Sequence, residues 1–316
     1  MSSLRVYRSP LRYEDHNVDN VYQLLFDSSP VISVPDSQIV YIHAHTSTSR
    51  TRGQHIDRVK RLATALVGRQ ADGGLGLTRN ERVCILSENH MDFSIIAHAC
   101  FYSGIPCVLM NIHATKEELV HAIDSVTPSR IFISGQTLTS HIESLRYTRT
   151  FARIRSTVRD GKSLRGIVDL NGGRDLDTLL ADTRDMDTSP MCKVKRSDLA
   201  CMLFSSGTSG MPKAVMISHG NFISAIFQAS AHVRALLKSA GVPLPQQMMR
   251  LTAIPMYHTQ GFFTSCLRNH CVVNTCVILP RWEVEAALKA IQKWVKLQLC
   301  YIFNTRYLGT KSKRLR

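Results

Sequence analysis

Between residues 82 and 134 the chain alternates short apolar runs with segments of helical length, and this alternation limits the fold most. RVCILS (82–87) is a short continuous apolar run, the pattern of a buried strand. FSIIAHACFYSG (93–104) is long enough for a helix and places Gly104 just past its end, where a left-handed cap is needed. PCVLMN (106–111) predicts the next strand. Thr115, with Glu118 three residues on, has the spacing of a capping box and opens a helix running to about Val126; SRIFIS (129–134) predicts a third strand. Strands alternating with such helices indicate an α/β domain, layered parallel sheets with flanking helices.

The flanking segments extend the pattern. HIDRVKRLATALVGR (55–69) puts Ile56, Val59, Leu62, Ala63, Leu66 and Val67 on one helical face. The glycine-rich ADGGLGL after it is a turn and not a dinucleotide fingerprint, because Arg79 stands where the third glycine would be. From about 140 to 190 the chain is polar, with strand-like IVDL at 167–170. LACMLFSS (199–206) predicts a buried strand, Asn221–Lys238 a long helix, RLTAIPMYH (250–258) an apolar strand ending at a proline, an aromatic and a histidine. WEVEAALKAIQKW (282–294) predicts a helix with Val284, Leu288 and Ile291 on one face.

Composition narrows the class. Hydrophobic residues are 44% and charged residues 20%, ordinary for a globular chain. No apolar run approaches the ~18 residues of a membrane-spanning helix, and MSSLRVYRSPLRYEDHN has no secretory core. Nine cysteines occur without a CxxC pair. Cys266, Cys271 and Cys276 are evenly spaced but have no histidine at zinc-finger spacing, so they read as buried free thiols of a reducing compartment, and no metal site is predicted. The net charge is +15, yet the stretch 295–316 holds six of the 39 basic residues and no acid; the rest carries 33 basic and 24 acidic residues, or +9, spread along the chain. No nucleic-acid partner is expected.

The chemistry concentrates in FSSGTSGMPKAVMISH (204–219). A strand ending in a glycine-rich loop can turn backbone N–H groups toward an anion, with hydroxyls adding donors and lysine a mobile positive charge. The loop is not a Walker A motif, since Gly207 and Gly210 are too close and the lysine follows proline. A flexible linker has similar composition, though a linker seldom follows a fully apolar strand.

This stretch resembles the phosphate-loop signature of the acyl-adenylate-forming (AMP-binding) superfamily, closest in flavour to its acyl-CoA synthetase and 4-coumarate–CoA ligase branch. The likeness runs from Met202 to Lys213 and on through Val215–His219 and Asn221. SENHMDFSIIAHACFYSGIPCVLMNIHATKEEL (87–119) and AIPMYHTQGFF (253–263) resemble two further segments of that family in order and spacing. The resemblance implies a ligase that joins a carboxylic acid to ATP with Mg²⁺, then passes the acyl group to a thiol such as coenzyme A. By position, Ser205, Ser206, Gly207, Thr208, Ser209, Gly210 and Lys213 would bind the β- and γ-phosphates. His258 would sit beside the acyl carboxylate, and Tyr257 and Gly261 would shape the acyl pocket. Taken alone, His258 would read as a satisfied core histidine; with Pro255, Tyr257 and Gly261 in register it reads as a site residue. His219 reads as structural. Ser209 and Ala214 depart mildly from the family's threonine and glycine.

Other parts of the pattern do not occur in the sequence: no Tyr-Gly-x-Thr-Glu for Mg²⁺ and adenine, no Thr-Gly-Asp for ribose, no C-terminal domain with its lysine. Residues 15–294 are therefore expected to form an incomplete large N-terminal domain. The basic stretch 295–316 departs from the family after Trp294; because a valine codon begins GT, Val295 suggests a retained intron or a mispredicted gene boundary, with an ordinary tail or a true truncation as alternatives. The expectation is a truncated ligase inactive alone. The alternatives are a non-catalytic remnant that binds acyl groups or a partner, and one half of a split enzyme; self-association through unpaired sheet edges is expected. A cytoplasmic location is expected, with a peroxisomal one open for a longer form, the present ending Arg-Leu-Arg not being the Ser-Lys-Leu address.

Overall fold

A computed structural model of the chain describes residues 17–27, 33–79, 81–134, 167–169, 174–205, 210–241 and 247–294, with Thr137, Ser144, Leu145 and Thr148 as isolated positions. In chain order these form β1 (Ile39–His43), β2 (Ser49–Thr51), α1 (Arg52–Val67), β3 (Val83–Leu86), α2 (Met91–Ser103), β4 (Cys107–Leu109), α3 (Lys116–Val126) and β5 (Arg130–Ser134). There follow β6 (Ile167–Asp169), β7 (Arg174–Asp175), α4 (Leu176–Asp182), β8 (Leu199–Ser205), β9 (Lys213–Ser218), α5 (His219–Ser239), β10 (Met248–Thr252), β11 (Asn274–Ile278) and α6 (Val284–Trp294).

Two sheets result. The larger has the order β7-β6-β5-β3-β4-β8-β9 and the smaller β10-β11-β1-β2. The strands β5, β3, β4 and β8 run parallel, as the alternation predicts. Antiparallel strands close both ends of the large sheet, with β6 on β5 and β9 on β8. The small sheet is parallel through β10, β11 and β1, with β2 antiparallel at its edge.

Burial orders the layers. Val83 and Ile85 of β3 join the main core with α1, α2 and β1, whereas Cys84 and Leu86 point to the opposite face, where α3 packs Leu119, Ile123 and Val126. A strand apolar on both faces is a strand covered on both. The small sheet likewise sends Val40, Cys276 and Ile278 inward and Ile42 and Val277 outward, toward Ala290 of α6. The stacking is α3, large sheet, α1 and α2, small sheet, α6. All thirteen residues of α2 are buried, as a middle layer requires.

The local signals hold where they are strongest. Gly104 caps α2 at φ +66°, and Thr115 and Glu118 form the reciprocal capping box of α3. The strand expected over 250–258 is shorter: β10 ends at Thr252, and the residues beyond it turn. In α6 the buried residues are Ala287 and Ala290, while Val284 and Leu288 are exposed. Residues 295–316 lie outside the described residues, as does much of 140–173. No helix among the described residues is long and apolar enough to cross a membrane.

Candidate functional site

The chain leaves β8 at Ser205 and returns as β9 at Lys213, and these two residues face each other across the antiparallel ladder. Directly opposed residues in such a ladder lie about 5 Å apart at Cα, so Ser205 and Lys213, both exposed, bracket the connecting segment. Gly210, on the far side of the loop, has φ +102° with nothing within 4 Å of a built Cβ. Backbone conformation, not crowding, demands glycine there. Ser206, Gly207, Thr208 and Ser209 lie outside the described residues.

A second segment approaches from the small sheet. After β10, the chain turns at Pro255, whose carbonyl accepts from His258 N–H at 3.0 Å. His258 then caps the single turn Thr259–Gly261, its Nδ1 facing the Gln260 N–H at 3.4 Å, and its carbonyl accepts from Phe262 N–H at 2.8 Å. The side chain is exposed. Gly261 is buried, and a Cβ on it would stand 2.0 Å from the Pro255 oxygen. No side chain fits, so the tight turn that presents Tyr257 and His258 depends on glycine at 261.

Asn89, three residues past β3, fixes this turn to the large sheet. Its Oδ1 accepts from Met256 N–H at 2.7 Å, and its Nδ2 donates to the carbonyls of Ile254 at 3.2 Å and Leu279 at 3.1 Å. Asn89 is 3% exposed and satisfied on three sides. None of the sequence motifs singles it out. The available signal is an amide at the carboxyl end of an apolar strand, a place where α/β sheets put functional loops.

Both segments meet at a cavity of about 560 Å³ at the carboxyl ends of β4 and β8. Its rim includes Ser205, Tyr257, His258 and Thr259, and its wall Leu203, Phe204, Leu119, Ala122 and Ile217. An apolar body with a few convergent polar groups suits a small organic ligand with a polar head. Burial raises the Tyr257 phenol above its ordinary range, keeping it a neutral hydrogen-bonding group. Thus Ser205, Tyr257 and His258 come together, whereas Gly210, Lys213 and Gly261 do not line the cavity. No nominated residue is a carboxylate; Glu118, which does line the cavity, accepts from Thr115 N–H at 2.9 Å in the capping box of α3.

The remaining sequence candidates are structural. His219 is buried, with Nδ1 accepting from Val21 N–H at 3.2 Å, and burial lowers it to about 4. Cys266, Cys271 and Cys276 are buried free thiols; burial holds Cys266 well above the usual thiol range and pushes Cys271 up to about 12.

A family profile described as AMP-binding enzyme matches residues 33–301. The 4-coumarate–CoA ligase-like 8 protein of Arabidopsis thaliana is 27% identical over 220 residues, covering 70% of this chain and 37% of that protein. The luciferin 4-monooxygenase of Luciola mingrelica is 24% identical over 262 residues, covering 81% of this chain and 44% of that protein. The chain therefore spans less than half the length of these two curated relatives. Among solved structures, the luciferase-like enzyme of the nonluminescent mealworm Zophobas morio superposes with a TM-score of 0.66 at 21% identity, covering 92% of this chain and 61% of that one. ATP-bound MatB from Rhodopseudomonas palustris gives 0.63 at 18%, covering 87% and 48%. Matched over most of its length, the chain belongs to the AMP-binding enzyme family and has the α/β fold of the N-terminal domain of adenylate-forming enzymes.

Proposed function

We propose that this chain supplies the polyphosphate grip and part of the acyl pocket of an ATP-dependent acid–thiol ligase. The observation that carries the reading is the convergence of Ser205, Tyr257 and His258 on one cavity, with Lys213 opposite Ser205 in the β8–β9 ladder. In this reading Ser205, Ser206, Gly207, Thr208, Ser209, Gly210 and Lys213 hold the β- and γ-phosphates of ATP. Backbone N–H groups, hydroxyls and the ammonium neutralise charge that grows on the leaving pyrophosphate, and this is mainly positioning and electrostatics. His258, at the rim, orients the carboxylate of the acid, and Tyr257 bounds the acyl body. Gly261 acts through the turn it permits. Mg²⁺, if bound with ATP, would add positive charge to that supplied by Lys213, and a thiol of the coenzyme A class would take the acyl group.

We further propose that adenylate formation needs residues outside this chain, because the sequence contains neither the Tyr-Gly-x-Thr-Glu nor the Thr-Gly-Asp pattern. The eight described cysteines are all free, which supports a reducing setting such as the cytoplasm. Pairing with further protein is supported by β9, an edge strand whose Val215 and Met216 are 46% and 70% exposed. The test is ATP–pyrophosphate exchange with a panel of aryl and aliphatic acids. The chain alone should bind ATP without exchange. Exchange by the purified chain would contradict the need for outside residues, and absence of any ATP contact would contradict the phosphate grip.

A further inference from the structure

Away from that cavity, three histidines meet in the middle layer: His55 of α1, His98 of α2 and His270 of the short turn Arg268–His270, all with no exposed surface. One ring nitrogen from each lies within 4.8 Å of the other two. They come from three distant parts of the chain, so no ligand spacing marks them in the sequence.

Their protons can be placed from their partners. His98 Nε2 faces the Cys266 carbonyl at 2.8 Å, so that nitrogen carries the hydrogen, and Nδ1 is the acceptor. His55 Nε2, at 2.9 Å, must then donate to His98 Nδ1, leaving the His55 Nδ1 lone pair free. Tyr41 donates its hydroxyl hydrogen to the Ser265 carbonyl at 2.9 Å, so it accepts from His270 Nε2–H at 3.0 Å, leaving a lone pair on His270 Nδ1. Neither the Nδ1 of His55 nor that of His270 has a hydrogen-bond partner among the described residues. His98 and His270 thus each donate Nε2–H to a fixed oxygen while Nδ1 is a lone pair, the arrangement by which proteins orient metal-ligating histidines.

We propose that His55, His98 and His270 bind one borderline transition-metal cation of the Zn²⁺ class, as a structural tie between α1, α2 and the connection into β11. Three Zn–N bonds of about 2.0–2.1 Å need nitrogens roughly 3.4 Å apart, so the widest pair must close by up to about 1.4 Å. Loading breaks the His55–His98 hydrogen bond and forms three metal bonds. Imidazole donors suit Zn²⁺, Cu²⁺ and Ni²⁺ over Mg²⁺ or Ca²⁺. Each ring binds a cation through the lone pair of its neutral form. The neighbouring cations are balanced: Arg50 and Arg58 share Asp92 at 2.8 and 3.5 Å, and Arg52 pairs with Asp36.

The experiment strips the full chain with chelator, adds Zn²⁺, and counts metal retained after gel filtration. One equivalent with a raised melting temperature is expected, and His270→Gln should weaken retention at least tenfold. Cobalt substitution gives a reading that needs no variant. A strong tetrahedral d–d spectrum without thiolate-to-cobalt charge transfer is expected. A competing pair is half-buried His43 and exposed His45, whose rings lie 5.8 Å apart; retention lost in His43→Gln/His45→Gln but kept in His270→Gln would overturn the proposal, as would thiolate charge transfer or no retained metal. The last outcome would make the trio a water-bridged polar core.

Discussion

Asn89→Ala is the sharpest perturbation of the site's architecture. The substitution removes one acceptor and one two-way donor at once, and it leaves the Met256 N–H, on a residue with no exposed surface, without a partner. A buried orphan of that kind costs about 1–3 kcal/mol, and the Leu279 carbonyl adds roughly 1 kcal/mol; the Ile254 carbonyl, on a half-buried residue, can recruit water. The expected loss is about 2–4 kcal/mol in urea unfolding followed by the two tryptophans, Trp282 and Trp294. Because the three bonds anchor one turn, the loss should be local first. Amide exchange in a peptide spanning 254–262 should accelerate roughly 30-fold for 2 kcal/mol, at about 1.4 kcal/mol per tenfold. Asn89→Asp keeps the acceptor for Met256 but sets a carboxylate against two carbonyls, and should fare no better. A change no larger than that of a neutral surface substitution, about 0.5 kcal/mol, with unaltered exchange would refute the view that Asn89 holds the His258 turn.

Other consequences are as specific. Gly261→Ala drives a methyl group into the Pro255 carbonyl and should destabilise by about 1–3 kcal/mol, whereas Gly210→Ala meets only backbone strain and should cost about 1–2 kcal/mol; equal, negligible effects in urea unfolding would contradict both. His98 and His219 titrate lower folded than unfolded, to about 3 and about 4. Their contribution is present in full above about pH 6.5 and is lost as pH falls toward those values, about 2 kcal/mol per histidine by pH 5. Urea midpoints that stay flat from pH 7 to pH 5 would count against buried neutral histidines. Met216→Lys, on the exposed edge strand, should lower any self-association measured by sedimentation, and an unchanged sedimentation profile in an associating sample would point to another surface.

Much of this architecture is legible because its signals are local. The β3–α2–β4–α3–β5 run has apolar strands, a glycine stop at 104 and a capping box at 115, and each is decided by neighbours in sequence. The small sheet is harder, because β1 and β11 depend on pairing between opposite ends of the described chain, such as Tyr41 with Cys276. The strand expected at 250–258 overruns because apolarity continues past Thr252, while Pro255 and the close approach of Gly261 to it impose a turn. The loop residues are marked by their motif, but Asn89 and the histidine trio are defined by partners that only the folded chain supplies.

The proposed polyphosphate grip of the β8–β9 loop is open to a binding measurement: calorimetric titration of the chain with tripolyphosphate and with ATP, repeated on Lys213→Gln. A charge-assisted contact of about 1.5–3 kcal/mol implies saturable binding that the variant weakens by roughly 10- to 150-fold. Binding that is absent, or equally strong in Lys213→Gln, would contradict the account.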